Sequence, residues 1–225
     1  MGAAPLEQAE GVIVRMHPFS DTSLILHWIT AEHGRIGTLA KGIRKPRSGH
    51  AAPVDLLFAG TLGFVRSSRS HLHTFREFVP VERHERLRID YGKLLQVAYA
   101  VALLERATEE DTPIPEFYAL FRSWLTALET QTHQPRMVLA FEARLLVEMG
   151  LDPRGAESVG QGGILEVLDL LIEGDWSDLP RLDPPRVAVR QLVTILQRQL
   201  VEALGTVPRS RPEALSSGAV GGSGS

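Results

Sequence analysis

Between residues 80 and 88 the spacing of apolar residues changes from strand-like to helical, and this switch limits the possible folds more than any other feature of the chain. Up to Val79 the apolar residues fall in short runs separated by turn-formers, the pattern of β-strands. Five runs qualify: Val12–Met16, Ser23–Thr30, Arg35–Ala40, Val54–Phe64 and His71–Val79. In the second, Leu24, Leu26 and Trp28 face one side while Ile25, His27 and Ile29 face the other, which predicts a closed or covered sheet. Glu32-His33-Gly34 supplies the turn into the third strand. Five short strands in this length predict a small antiparallel barrel, with the five-stranded OB-fold preferred to an SH3-like barrel.

Beyond residue 88 the period is three to four. Asp90 is placed to cap a helix carrying Leu94, Leu95, Ala98, Val101 and Leu104, and Pro115 opens a second with a broad stripe from Phe117 to Leu128. A third runs from Pro135 to a stop at Gly150, a fourth covers Ile164–Ile172, and Asp183-Pro184-Pro185 opens a fifth that ends at Gly205. The predicted class is α+β: an OB-fold domain over 1–82, a helical domain over 83–215, and a flexible tail over 216–225 whose last five residues have linker composition.

The net charge of −3 argues against a nucleic-acid binder only until it is divided. Residues 1–80 hold nine Lys or Arg against six Asp or Glu, a net +3, and the remaining 15 and 21 give −6. Six of the eight histidines also lie in the cationic part. The absence of cysteine excludes disulfides, thiolate metal sites and a cysteine nucleophile. No run of 18 apolar residues is present, and the N-terminus lacks a basic-then-apolar leader, so the cytoplasm is the expected compartment and no membrane partner is expected.

The densest signal is Lys41-Gly-Ile-Arg44-Lys45-Pro-Arg47, four fixed cations in a segment that Gly42 and Pro46 keep out of regular structure. Such a loop on a barrel rim meets successive phosphates; the bland reading is a solvated loop. Arg66 and Arg69 mark the tip between the fourth and fifth strands, a loop that flanks the ligand groove in OB-folds. Arg35 and Arg76 join the candidate DNA-binding set by charge and position. Among the aromatic residues Phe19, in the connection between the first two strands, is the one singled out for stacking on bases. His71 and His73 with Glu77 would suit a metal only if a third ligand were fixed, and the spacing fixes none. No phosphate-binding, dinucleotide, serine-hydrolase or zinc-protease motif is present, so no catalytic role and no cofactor is expected.

The run from Ile25 to Ser48, with Thr30-Ala-Glu-His-Gly34 leading into Lys41-Gly-Ile-Arg44, resembles the N-terminal signature of the bacterial RecO family of recombination mediators. Phe141-Glu142-Ala-Arg144-Leu-Leu146 is similar to a helix of that family, and Glu202–Leu215, containing Ser210-Arg211, resembles its closing segment. The resemblance implies an OB-fold and a helical domain that bind single- and double-stranded DNA and anneal complementary strands without enzymatic activity. It also implies work with RecR to load RecA, indirectly, onto DNA coated by single-strand-binding protein (SSB), and capture of the SSB C-terminal tail. Arg136, Arg144, Arg186 and Arg190 are the cations available for that tail. Two features depart from the family. The four-cysteine zinc module is absent from Arg154–Gly163, and Ser20-Asp21 stands where an acidic pair is common, so neither zinc nor a role for Asp21 is carried over.

Two readings compete: a DNA-binding mediator, and a protein-interaction adaptor whose basic loop is merely solvated. A hydrolase built on His71, His73 and Glu77 ranks far behind both.

Overall fold

The computed structural model describes residues 5–44, 54–156, 159 and 163–216, and the chain divides into two compact units. The first comprises 1–85 with 108–122, the second 86–107 with 123–225.

The first unit is a closed five-stranded barrel of β1 (Leu6–Ser20), β2 (Ser23–Thr30), β3 (Gly34–Ala40), β4 (Ala59–Val65) and β5 (Leu72–Glu82), in the order β1-β2-β3-β5-β4. All neighbours are antiparallel except β3 and β5, which run parallel over Gly37–Leu39 and Leu72–Thr74. This is the expected OB-type barrel. β1 is far longer than the Val12–Met16 run because it serves two partners: residues 6–12 pair with β4 and 11–20 with β2. Irregularities between Ile13 and Arg15 and between Pro18 and Ser20 bend it around the barrel. Its polar Glu7, Gln8 and Glu10 hide the strand from a search for apolar runs. β4 starts at Ala59 rather than Val54. Ahead of it the chain turns at Leu57, in the left-handed region at φ 65°, where the Leu57 N–H donates to Ile13 O at 2.8 Å.

Inward residues Ile13, Leu26, Trp28, Ile36, Leu62, Phe64 and Phe78 fill the barrel. The buried Trp28 indole donates to Thr38 Oγ1 at 2.8 Å, so its one polar atom is satisfied within the core. Gly34, at φ 63°, closes the β2–β3 turn, and a Cβ there would lie 2.0 Å from Thr112 O. Residues 108–122 press against this turn: Asp111 N–H donates to Arg35 O at 3.1 Å and Ile114 N–H to Ala31 O at 3.0 Å. The stretch expected in the helical domain therefore belongs with the barrel, because the backbone of β3 and of the β2–β3 turn supplies its hydrogen bonds.

The second unit is helical. Its elements are α1 (Glu85–Arg88), α2 (Tyr91–Ala107), α3 (Pro115–Thr130), α4 (Pro135–Glu148), α5 (Ile164–Glu173), α6 (Arg186–Leu204) and α7 (Arg211–Ala214), with α1 and α3 shared along the chain between the units. Asp90 Oδ1 accepts from Lys93 N–H at 3.1 Å, the cap expected for α2. α4 packs on α5 and α6, and Trp124 meets Phe141 with ring centroids 5.0 Å apart. Among the described residues no helix is long and apolar enough to cross a membrane.

Candidate nucleic-acid interface

Strand register sets out one outer face of the barrel. Because Leu26, Trp28, Ile36 and Thr38 point inward, their alternates point outward. One cross-strand row is His17, Ile25, Leu39 and Thr74; the next is Arg15, His27, Gly37 and Leu72. His17 and His27 meet edge to face with centroids 5.5 Å apart. Phe19, two residues beyond His17, is 59% exposed.

The basic segment begins where this face ends. Arg44 N–H donates to Thr22 O at 3.1 Å and Gly42 N–H to Ser23 Oγ at 3.4 Å, which fixes Lys41–Arg44 beside the β1–β2 hairpin. Lys41 and Arg44 are exposed, and neither forms an ion pair within the described residues. Arg69 is exposed on the β4–β5 connection, and Arg76 is exposed on β5 at the irregularity opposite Gly63 and Phe64. Lys45 and Arg47 lie outside the described residues.

Two other expected DNA contacts, Arg35 and Arg66, are engaged in bonds within the barrel unit. Arg35 Nη2 donates to Thr108 O at 3.0 Å and Nη1 stands 3.8 Å from Glu110. Arg66 is a hub: its Nε donates to Glu7 Oε1 at 3.1 Å, Nη1 to Asp111 Oδ1 at 2.8 Å, and Nη2 to His33 Nδ1 at 3.1 Å. The hydrogen bonds it donates to Glu7 hold the guanidinium more firmly charged than usual, and Asp111 adds to this against the opposing effect of burial. Burial pushes the Asp111 carboxyl up, but hydrogen bonds from His73 and Arg66 outweigh it and leave the carboxyl below its ordinary value.

His73 belongs to the same hub. It is 2% exposed, stacks on Phe64 at 5.3 Å, accepts from Ser67 N–H at its Nδ1, and therefore donates from Nε2 to Asp111 at 3.0 Å. His71 and Glu77 are exposed, away from that buried environment. Among the described residues no group of three His, Cys, Asp or Glu is arranged to hold a metal.

In the helical unit the motif residues meet one another. Glu142, 0% exposed, receives Arg211 Nε and Nη2 at 2.7 Å each, and Tyr99 OH donates to the same carboxylate. Burial works against the Arg211 charge, yet the bonds and charge of Glu142 leave it more strongly protonated than usual. Arg144 closes the end of α5 through Leu171 O and Gly174 O, with its guanidinium 3.7 Å from the Trp176 ring centroid. Burial lowers its pKa to about 10. Arg136 donates to Leu179 O and Pro180 O. Of the four cations considered for an acidic tail, Arg190 lines a cavity of about 350 Å³, with Ile164, Thr194, Ile195 and Arg198.

Sequence reading missed Arg15, His17 and His27 as a surface. The alternation Arg15-x-His17-x-Phe19 carries the signal, but Pro18 and the early end assigned to the first strand concealed it.

The chain thus combines a closed OB-type barrel, with exposed cations beside one hairpin, and a helical unit. Residues 4–83 match the family model described as recombination protein O N terminal, and residues 88–166 match recombination protein O C terminal. The chain belongs to the recombination protein O (RecO) family. It is 30% identical over 148 residues to a protein named DNA repair protein RecO from Bacillus pumilus (strain SAFR-032), covering 66% of this chain and 57% of that relative. Proteins of the same name from Bacillus subtilis (strain 168) and Listeria monocytogenes serotype 4b (strain CLIP80459) are each 28% identical over the same coverage. The chain thus spans somewhat over half the length of these relatives.

Proposed function

We propose that the protein is a DNA-binding mediator of recombinational DNA repair that acts by binding and not by catalysis. It binds single- and double-stranded DNA, anneals complementary strands and, with RecR, assists RecA loading onto DNA coated by SSB. The observation that carries this reading is the exposed pair Lys41 and Arg44, held beside the β1–β2 hairpin of a barrel whose family is named for recombination. Unpaired cations shield phosphate repulsion between strands, whereas cations already bound to acids, such as Arg66, supply little such shielding. The SSB tail, acidic and apolar-ended, suits the cavity between Ile164 and Ile195 that Arg190 and Arg198 border.

Filter binding of a labelled oligonucleotide at two salt concentrations tests the reading. Affinity that falls as salt rises is expected, since each neutralised phosphate releases counterions. Absence of binding at low salt overturns it. Retention of purified RecR or SSB after nuclease treatment, with no direct DNA affinity, would establish the adaptor reading in its place.

A further inference from the structure

The outer face of β1, β2 and β3 carries more than charge. Its two cross-strand rows present His17, Ile25 and Leu39 beside Arg15, His27 and Gly37, with Phe19 continuing the β1 edge. The two imidazoles stand at 83° to each other, one lending its edge to the other's face. Gly37 keeps the middle of the face low. A Cβ there would sit 3.3 Å from Leu72 Cδ1 and 4.0 Å from His27 Nδ1, so any larger residue would fill the gap between them. A low, partly apolar patch with rings on one border is suited to planar, uncharged partners.

Arg15 is the one cation within these two rows, and the other candidate cations stand outside them. Lys41 and Arg44 stand at the hairpin end, Arg69 on the β4–β5 connection and Arg76 on β5, while Asp21 is the single acid in the hairpin turn. A protein ligand of mixed charge has no need of that arrangement. A strand whose phosphates run along a cationic border and whose bases turn inward onto rings matches it. A duplex cannot use the patch in this way, because its bases are already stacked on one another.

We infer that the His17–His27 pair, with Phe19, forms a base-stacking platform that distinguishes unpaired bases from duplex DNA. The inference rests on the proposed DNA-binding role and assigns it a source of single-strand preference separate from the phosphate contacts of Lys41 and Arg44. His17 and Phe19 are exposed, so their truncation leaves the core intact.

The test compares two oligomers of equal length by fluorescence anisotropy at fixed salt: oligothymidylate, and the same sugar-phosphate chain with abasic sites throughout. The unaltered protein is expected to bind the thymidylate about tenfold more tightly, the size of one lost base stack. In a His17→Ala, His27→Ala, Phe19→Ala variant that difference collapses, while affinity for the abasic chain and for duplex stays within twofold. A Phe19→Trp variant gives a second readout that needs no loss of binding, because its indole emission is quenched by thymidylate and not by the abasic chain. If the unaltered protein binds neither oligomer, the DNA-binding reading itself fails. If it binds both equally, or the triple variant keeps the preference, the DNA-binding reading stands and the platform is overturned.

Discussion

Each unit is organised around an arginine, and the two arginines differ in how much water reaches them. In the helical unit Arg211 and Glu142 have side-chain exposures of 6% and 0%, and their bidentate pairing is completed by Tyr99. In the barrel unit Arg66 and Asp111 are 37% and 31% exposed, and the hub branches to Glu7, His33 and His73. The difference teaches what each can do. A buried pair fixes one geometry, because either member left alone would be a charge in an apolar surrounding. A half-exposed network tolerates loss of a member that water can replace, at small cost, but not of one whose loss strands a buried donor such as His73. Lys41 and Arg44, with no ion pair among the described residues, form a third condition in which the charge is available to a partner.

The strongest way to break this comparison is to remove one member of the buried pair. Glu142→Leu is expected to destabilise the helical unit by about 3–5 kcal/mol, read from the urea midpoint, with most of the loss recovered in Glu142→Leu combined with Arg211→Met. An equal cost in the single and the double variant would contradict the burial argument. Asp111→Ala ranks next, at about 1–3 kcal/mol, because it leaves the buried His73 donor without its acceptor. The same carboxyl gives a pH signature. Its folded pKa is depressed, so it contributes stability above its ordinary value of 3.8 and loses that contribution as pH falls through the lower folded value. Asp111→Asn should therefore flatten this part of the acid limb in pH-dependent thermal unfolding. Arg66→Ala should cost only about 1 kcal/mol or less, given its exposure. Lys41→Ala with Arg44→Ala should leave the unfolding midpoint within about 0.5 kcal/mol of the parent, as for surface positions generally.

Much of the barrel was legible because its inward alternation is apolar and its turns carry Gly34 and Pro or Gly breakers. β2 falls on the expected residues, whereas β1 is 15 residues long with polar side chains that mask half of it. The helix starts at Asp90, Pro115 and Pro135 were legible for a local reason: capping and N-terminal proline chemistry act within one turn. Residues 108–122 were misplaced because what fixes them is backbone pairing to Ala31 and Arg35, some 75 to 85 residues away in sequence. The site was legible only as charge. Nothing local distinguishes Arg66, bound by Glu7 and Asp111, from Arg44, since the acids that neutralise Arg66 lie 59 and 45 residues away.

The claim that pairing, and not the mere presence of charge, decides which cations meet DNA is tested most directly by the salt dependence of oligonucleotide affinity in two variants. For Lys41→Ala with Arg44→Ala, the slope of log affinity against log salt should fall by about 1.4, at about 0.7 per single-strand phosphate contact, while Arg66→Ala should keep the parent slope. A parent-like slope in the double variant, with a reduced slope in Arg66→Ala, would contradict the account.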